Sequence, residues 1–440
     1  MQSSIKTSLA SVAFITMGCA KNEVDSSDMA RRLVGAGYSI VEDPEEADAV
    51  IVNTCCFIQT ATEESIDAIL DASSLDSVSS GKAKLIVAGC MPARYGEELA
   101  AELPEVSSFV PCSIEDDIVT ILDGLFDIVR TGMSAVHGNS LDPDSGKPCA
   151  YVKISDGCDR FCSYCAIPYI RGRYHSFKYE NICADVKRLV DGGTMEITLI
   201  AQDTGRWGSD FDEPSTLADL LDRLASDFPT TWLRVMYIQP EGVTDQLVDV
   251  MLSHDNICNY LDIPFQHVNP EILNAMNRKG SASEFTRLIE NIRDRIPGCT
   301  IRTTFIAGFP GETEEQFEEL CDFAQEADLD YAGVFPYSRE EGTRAYKLDN
   351  QLDDEEKNER AQQLRDICDA NGFARMQQHI GKEMDVLVCG VEEDGQLFGR
   401  AMCQAPDVDG VTYLPDGEIG SIVHVRIDDS LLYELEATVI

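Results

Sequence analysis

Three short apolar runs in the first hundred residues each lead within a few positions to a cysteine. SVAFITMGC reaches Cys19, AVIVNTC reaches Cys55 and KLIVAGC reaches Cys90. Runs of this length, Ser11–Thr16, 49–53 and 84–88, suit buried strands. Helical spacing fills the gaps, at 22–34 with Val24, Leu33 and Val34 inward, and at 63–70. Such alternation demands a parallel sheet with crossover helices. All strands of such a sheet point the same way, so Cys19, Cys55 and Cys90 lie on one edge, the carboxyl ends, where α/β sheets bind ligands. Cys56, next to Cys55, points the other way if the backbone stays extended. Cys112, after a possible fourth strand at 109–110 and before a helix at 118–129, is the rival to these three. Convergent thiols without a metal are the alternative reading.

Residues 131–148, TGMSAVHGNSLDPDSGKP, lack periodicity and read as a linker. Six strand-like runs follow, at 151–155, 197–202, 232–238, 260–264, Thr300–Ala307 and 331–337, with helical stretches between them. Six parallel repeats fall short of the eight of a closed barrel, so an open (β/α)6 barrel is expected. A helix at 353–379 leads to a Gly-punctuated, β-like block at 381–440, with runs at 385–389 and 421–427, expected to be a small β-barrel. The chain is thus an α/β protein with an N-terminal parallel α/β domain (9–125), a linker (126–147), a barrel domain (148–377) and a terminal β-module (378–440).

Sixteen cysteines need an explanation. No stretch has the ~18 apolar residues of a membrane span, and the first ten residues lack the pattern of a signal peptide. A cytoplasmic location is expected, where disulfide frameworks are rare. Cys158, Cys162 and Cys165 form a CxxxCxxC run just beyond the first barrel strand. Structural zinc sites usually close with four ligands, and no fourth Cys or His stands at matching spacing. An iron–sulfur cluster fits better, with one iron left open, on the barrel end that carries catalytic groups. None of the six His forms a metal pattern such as HExxH.

The CxxxCxxC run resembles the signature of the radical S-adenosylmethionine (SAM) superfamily. That resemblance implies a 4Fe–4S cluster whose open iron chelates SAM, and cleavage of SAM to a 5′-deoxyadenosyl radical that abstracts hydrogen. Gly192 and Gly193 followed by Glu196 resemble the superfamily's glycine motif, which implies that they line bound SAM; a helix C-cap is the other reading of the glycine pair. TMGCAKNEVDS, IVNTCCFI and VAGC, upstream of such a barrel, resemble the methylthiotransferase family. There the three N-terminal cysteines hold a second 4Fe–4S cluster that handles the sulfur to be inserted. Cys19, Cys55 and Cys90 match those positions; Cys56 and Cys112 do not. The resemblance implies two SAM molecules per turnover, one as methyl donor and one as radical source. It also implies an electron donor such as a flavodoxin or ferredoxin, and leaves the sulfur donor open. Gln266 and His267, in DIPFQH, are at most neighbours of the site or of the substrate.

Two substrate classes exist in this family: an adenosine beside the tRNA anticodon, or the β-carbon of an aspartate in the twelfth small-subunit ribosomal protein. The net charge is −43, from 35 Lys and Arg against 78 Asp and Glu. A polyanion repels phosphates; solubility and attraction to a basic partner are both open explanations. Residues 378–440 carry 13 Asp and Glu against three Lys and Arg, a net −10. The family's terminal module, called TRAM, is an RNA-binding type in the tRNA branch, so an acidic one favours a Lys/Arg-rich protein. YLDIPFQH (260–267), RTTFIAGFPGETEEQF (302–317), YSREEGT (337–343) and GRAMCQAPDVDG (399–410) resemble the ribosomal-protein branch. The expected substrate is therefore a basic ribosomal protein; tRNA is the alternative, and no membrane partner is expected.

Overall fold

The computed structural model describes residues 9–130 and 143–440. Most of the expected linker and of the first ten residues lies outside the described residues. The described chain falls into two compact units. The first is 9–130 and 143–145 together with Cys165–Arg173, and the second holds the remainder to Ile440.

The first unit is a five-stranded parallel sheet in the order β2-β1-β3-β4-β5. Its strands are β1 (Ser11–Thr16), β2 (Ser39–Ile40), β3 (Ala49–Thr54), β4 (Lys84–Gly89) and β5 (Ser108–Pro111). β3 is buried throughout, as a strand covered on both faces must be. The helices are α1 (Ala20–Gly35), α2 (Gln59–Ser74), α3 (Asp76–Ser79), α4 (Cys90–Glu102) and α5 (Ile118–Leu125). Two-residue β2 is the element the apolar pattern does not announce, because Ser39 and Ile40 form no run. α5 stops at Leu125, four residues short of the expected end, and Asp127 has φ +53, outside the helical region. α6 (Ile167–Ile170) also belongs to this unit: Ala166 and Ile170 pack with Val52, Val87 and Met91.

The second unit carries six parallel strands at the six expected places. They are β6 (Cys149–Lys153), β9 (Glu196–Ile200), β10 (Trp232–Val235), β11 (Tyr260–Asp262), β12 (Thr300–Ala307) and β13 (Tyr331–Pro336). β6, β9 and β10 form one ladder and β11, β12 and β13 another. A single parallel bridge, Leu233 to Ile257, carries the sheet from one to the other. The strands therefore follow chain order, the arrangement of an open (β/α)6 barrel. β7 (Ser155–Asp156) and β8 (His175–Ser176) make a short antiparallel pair beside it.

Helices α7 (Tyr179–Asp191), α8 (Leu217–Asp227), α9 (Asp245–Ser253), α10 (Pro270–Ala275), α11 (Ala282–Arg295) and α12 (Glu314–Glu326) alternate with the strands. α8 and α12 each begin with a full capping box, Thr216 with Asp219 and Thr313 with Gln316, which satisfies otherwise orphaned amides. α13 (Asp354–Gln377) leads to a closed five-stranded barrel of β14 (Glu383–Val391), β15 (Leu397–Ala401), β16 (Thr412–Leu414), β17 (Ile422–Leu431) and β18 (Glu434–Val439). Among the described residues no helix is long and apolar enough to cross a membrane.

The small barrel docks on the amino-terminal end of the large one. Tyr151 donates to Asp407 Oδ2 at 2.6 Å and Tyr260 to Asp409 Oδ2 at 2.7 Å, while Arg302 stands 3.3 Å from Asp409 Oδ1. Arg234 donates to the Met402 carbonyl at 2.9 Å and to Glu196 at 2.7 Å. The GRAMCQAPDVDG segment is thus the seam between two domains; Asp409 is buried in it, and Asp407 meets Tyr151 from an exposed position.

Candidate iron–sulfur and SAM sites

In the first unit each cysteine of the N-terminal set sits where a parallel strand ends. Cys19 precedes α1, Cys55 follows β3 by one residue, and Cys90 opens α4 directly after β4. The chain reverses tightly enough there to require glycine. A Cβ on Gly18, at φ +97, would lie 2.4 Å from the Cys55 Cβ. A Cβ on Gly89, at φ +94, would lie 2.2 Å from Asn53 Oδ1.

Asn22 organises the group. Fully buried, it donates to the carbonyls of Met17 at 3.0 Å and Thr54 at 2.9 Å. These bonds turn its Oδ1 toward the thiols, 3.8 Å from Cys19 Sγ and 4.0 Å from Cys90 Sγ. Burial pushes the Cys55 thiol up to about 11. Cys90 is lowered to about 7, first because the Cys112 thiol donates to it across 4.0 Å and then because Arg171 stands near it. Cys56 points into the apolar cluster of Val50, Val52 and Ile69. Cys112 lies at the same sheet edge as the other three, so edge position alone does not separate it from them.

Cysteine thiols gathered at one sheet edge are the donor set that would hold an iron–sulfur cluster.

In the second unit Cys158 and Cys162 lie on the loop beyond β6, and several barrel elements hold that loop. Asn277 donates to the carbonyls of Arg160 at 2.8 Å and Phe161 at 3.2 Å, and Arg344 to Phe161 at 2.8 Å. Phe161 is held at φ +49, a rare conformation for a bulky residue, which those three bonds over-determine. Burial raises the Cys158 thiol. Cys165, the third member of the run, groups with the first unit.

Gly192, Gly193 and Glu196 are not brought to this end. β6 and β9 are parallel with Cys149 opposite Glu196 and Lys153 opposite Ile200, so the Cys158 loop lies beyond Ile200 while Glu196 begins its strand. Gly192 caps α7, and Gly193 turns the chain into β9 at φ +102. The glycine pair is a helix terminus. Burial pushes the Glu196 carboxyl up, but Arg234 and Arg400 together hold it below the usual carboxylate range. The SAM-lining role expected for these three residues is therefore withdrawn on geometry.

Polar groups that do stand at the carboxyl ends include Gln202 and Asp203 after β9 and Gln239 after β10. Thr204 N donates to the Tyr237 carbonyl at 3.2 Å, so these two loops run side by side. Gln202 Oε1, Asp203 Oδ1 and Gln239 Oε1 are buried with no hydrogen-bond partner. Buried acceptors cost free energy unless something donates to them, so three together suit a ligand rich in donors. Asp203 is anchored through Oδ2 by Arg160 at 2.5 Å; burial raises its carboxyl and Arg160 opposes that. The signal for these residues was their position at or just after the ends of predicted strands, in AQDT and YIQPEG. His267 is fully buried, 3.3 Å from Glu312, which also accepts from Arg360 at 2.8 Å. Gln266, at φ +70, is paired with Phe305. Both are locked into the scaffold.

Residues 11–111 match the uncharacterized protein family UPF0004, 152–324 the Radical SAM superfamily, and 380–440 the TRAM domain. The chain is 42% identical over 441 residues to the ribosomal protein uS12 methylthiotransferase RimO of Trichlorobacter lovleyi, covering 98% of each. It is 39% identical over 438 residues to the protein of that description from Clostridioides difficile, again covering 98% of each. The chain belongs to this family of radical SAM methylthiotransferases. The family is the ribosomal-protein branch and not the tRNA one. Among solved structures, the radical SAM methyltransferase TsrM of Kitasatospora setae aligns with a TM-score of 0.55 at 15% identity, over 74% of this chain and 76% of that one. The cobalamin-dependent SAM radical enzyme OxsB aligns with a TM-score of 0.51 at 12% identity, over 80% and 56%. These two likenesses speak to fold alone.

Proposed function

We propose that this enzyme replaces a hydrogen on the β-carbon of an aspartate of ribosomal protein uS12 with a methylthio group. The single observation that carries the reading is the convergence of Cys19, Cys55 and Cys90 around Asn22 in a chain of this family. A radical SAM methylase without that second cysteine set has no use for it.

In this reading Cys158, Cys162 and Cys165 hold one 4Fe–4S cluster and Cys19, Cys55 and Cys90 hold another. When bound, SAM and the clusters supply the hydrogen-abstracting radical and the sulfur to be inserted. The chain's own part is to place and to shield. Asn277 and Arg344 fix the loop that presents Cys158 and Cys162. Gln202, Asp203 and Gln239 offer acceptors to a cationic, hydroxyl-bearing ligand such as SAM, and Arg160 keeps Asp203 aimed. Gly18 and Gly89 let the thiol-bearing turns approach each other. A cytoplasmic location suits such a substrate, and the electron donor is a small redox protein of the flavodoxin or ferredoxin kind.

The test is mass spectrometry of ribosomal proteins and of tRNA nucleosides from cells with and without this protein. The mass of one methylthio group on a uS12 aspartate should depend on it. A change confined to tRNA adenosine would refute the reading.

A further inference from the structure

The segment that begins at the last cysteine of the CxxxCxxC run, Cys165–Arg173, groups with the first unit. Its apolar residues Ala166 and Ile170 are packed there, which delivers Arg171 to the thiol-bearing sheet edge. The Arg171 side chain is 2% exposed and its partner Asp25 3%. Nη2 stands 2.8 Å from Asp25 Oδ2, 3.1 Å from Asn22 Oδ1 and 3.7 Å from Cys90 Sγ. A buried guanidinium needs a carboxylate, and Asp25 meets that need. The contacts with Cys90 and Asn22 go further. They put a fixed cation beside one thiol of the set and on the amide that faces two of them.

We propose that Arg171 is a positioning residue for the N-terminal cluster: it donates to the Cys90 sulfur and sets how readily that cluster accepts an electron, with Asp25 as its counter-charge. This rests on the assignment of Cys19, Cys55 and Cys90 as ligands. Hydrogen bonds to the ligand sulfurs and local net charge are the protein's levers on the potential of such a cluster. A cation at Cys90 favours the reduced state, and an anion behind it opposes this. Removing Arg171 takes the cation from beside Cys90 and leaves the Asp25 charge in place, so the cluster becomes harder to reduce. Removing the Asp25 charge leaves the cation in place with less negative charge near it, so the cluster becomes easier to reduce. A loss of packing would not give opposite signs from the two halves of one ion pair.

The experiment uses the full chain with Cys158, Cys162 and Cys165 all changed to Ala, reconstituted anaerobically and titrated for its potential by EPR. This parent should hold about four iron, one cluster of the Cys-ligated kind. If it holds none, the ligand assignment has failed, and the role proposed for Arg171 falls with it. With the cluster present, Arg171→Gln should shift the reduced-to-oxidised ratio about tenfold toward oxidised, or 59 mV for one electron. Asp25→Asn should shift it the other way, and Arg171→Lys should fall between Arg171→Gln and the parent. Unchanged potentials, or shifts of one sign in both variants, overturn the proposal. If a variant loses its iron, the melting point of the iron-free protein decides. An unchanged midpoint supports action on the cluster, and a lowered midpoint makes Arg171 a structural residue and overturns it.

Discussion

Glu196 Oε2 and Arg400 Nη2 stand 2.9 Å apart, with side chains 0% and 5% exposed, and they join the first residue of a barrel strand to the terminal β-module. Arg234 grips the same carboxylate from the next strand at 2.7 Å. Two guanidiniums on one buried carboxylate form a network in which no member can lose its partner cheaply. Glu196→Ala should therefore destabilise by about 3–5 kcal/mol, the cost of stranding buried charge. Differential scanning calorimetry should show the lower melting point. SAM affinity of the folded fraction, measured by isothermal titration, should stay at the parent value, because Glu196 is at the wrong end of its strand.

Asp203→Asn and Gln239→Ala test the opposite end. Each alters a buried acceptor beside the Cys158 loop, at a position the barrel does not need for closure. A charged acceptor lost from such a site is worth about 1.5–3 kcal/mol, which is roughly a ten- to hundredfold loss. Asp203→Asn should weaken SAM binding by that factor in titration calorimetry, with a smaller drop in melting point than Glu196→Ala, because Arg160 keeps Glu241 as a partner. Equal losses in Glu196→Ala and Asp203→Asn would mean that the strand-end assignment is wrong.

How much of this was legible in the residues follows from the range over which each signal acts. Buried parallel strands are continuous apolar runs, so β3, β4 and the six barrel strands announced themselves, and their carboxyl ends placed Cys19, Cys55 and Cys90. Ser39 and Ile40 carry no such signal; β2 pairs with β1 only because the neighbouring edge is open. The SAM reading of Gly192, Gly193 and Glu196 came from a resemblance. Strand polarity argued against it, since residues before a parallel strand lie on the edge away from the ligands. Arg171 and Asp25 are 146 positions apart, and nothing local to either residue marks the pair.

The two cysteine triads should be separable by iron content. The reconstituted full chain should bind about eight iron, two four-iron clusters of the Cys-ligated kind. Replacing Cys158, Cys162 and Cys165 together should leave about half, and replacing Cys55 alone should remove the other half. Loss of both clusters in either case would contradict independent sites.

Cys56→Ala and Cys112→Ala should both keep the full iron complement. The first removes a fully buried thiol from an apolar cluster and should cost about 1 kcal/mol in urea unfolding, the usual size for a single core change. The second takes away the donor that lowers Cys90, and so tests whether sharing the sheet edge is enough to make a ligand. If Cys112→Ala loses the N-terminal cluster and Cys55→Ala keeps it, the family alignment of the triad fails here.

The terminal module should recognise a basic partner through the acidic side chains that the barrel leaves free. Asp409 is buried against Tyr260 and Arg302 and contributes nothing to an outer surface, whereas Asp407 accepts from Tyr151 and stays exposed. Glu392, Glu393 and Asp394 are exposed in the turn between β14 and β15, and Asp416 and Glu418 are exposed between β16 and β17. Changing Glu392, Glu393 and Asp394 together to Lys reverses the local field without touching the core. Association of the full-length enzyme with uS12 should then slow by about tenfold at low salt, within the range of electrostatic steering. The difference should shrink as salt rises, because surface charges are screened beyond ~8 Å at physiological ionic strength. Stopped-flow binding across a salt series reads both effects, with bulk tRNA as the comparison ligand. An unchanged association rate with uS12 would move recognition to the barrel mouth or the N-terminal unit, and would leave the module's acidity as a matter of solubility. Saturable tRNA binding that steepens in the Lys variant and is absent from the parent would show instead that the acidic turn keeps RNA away.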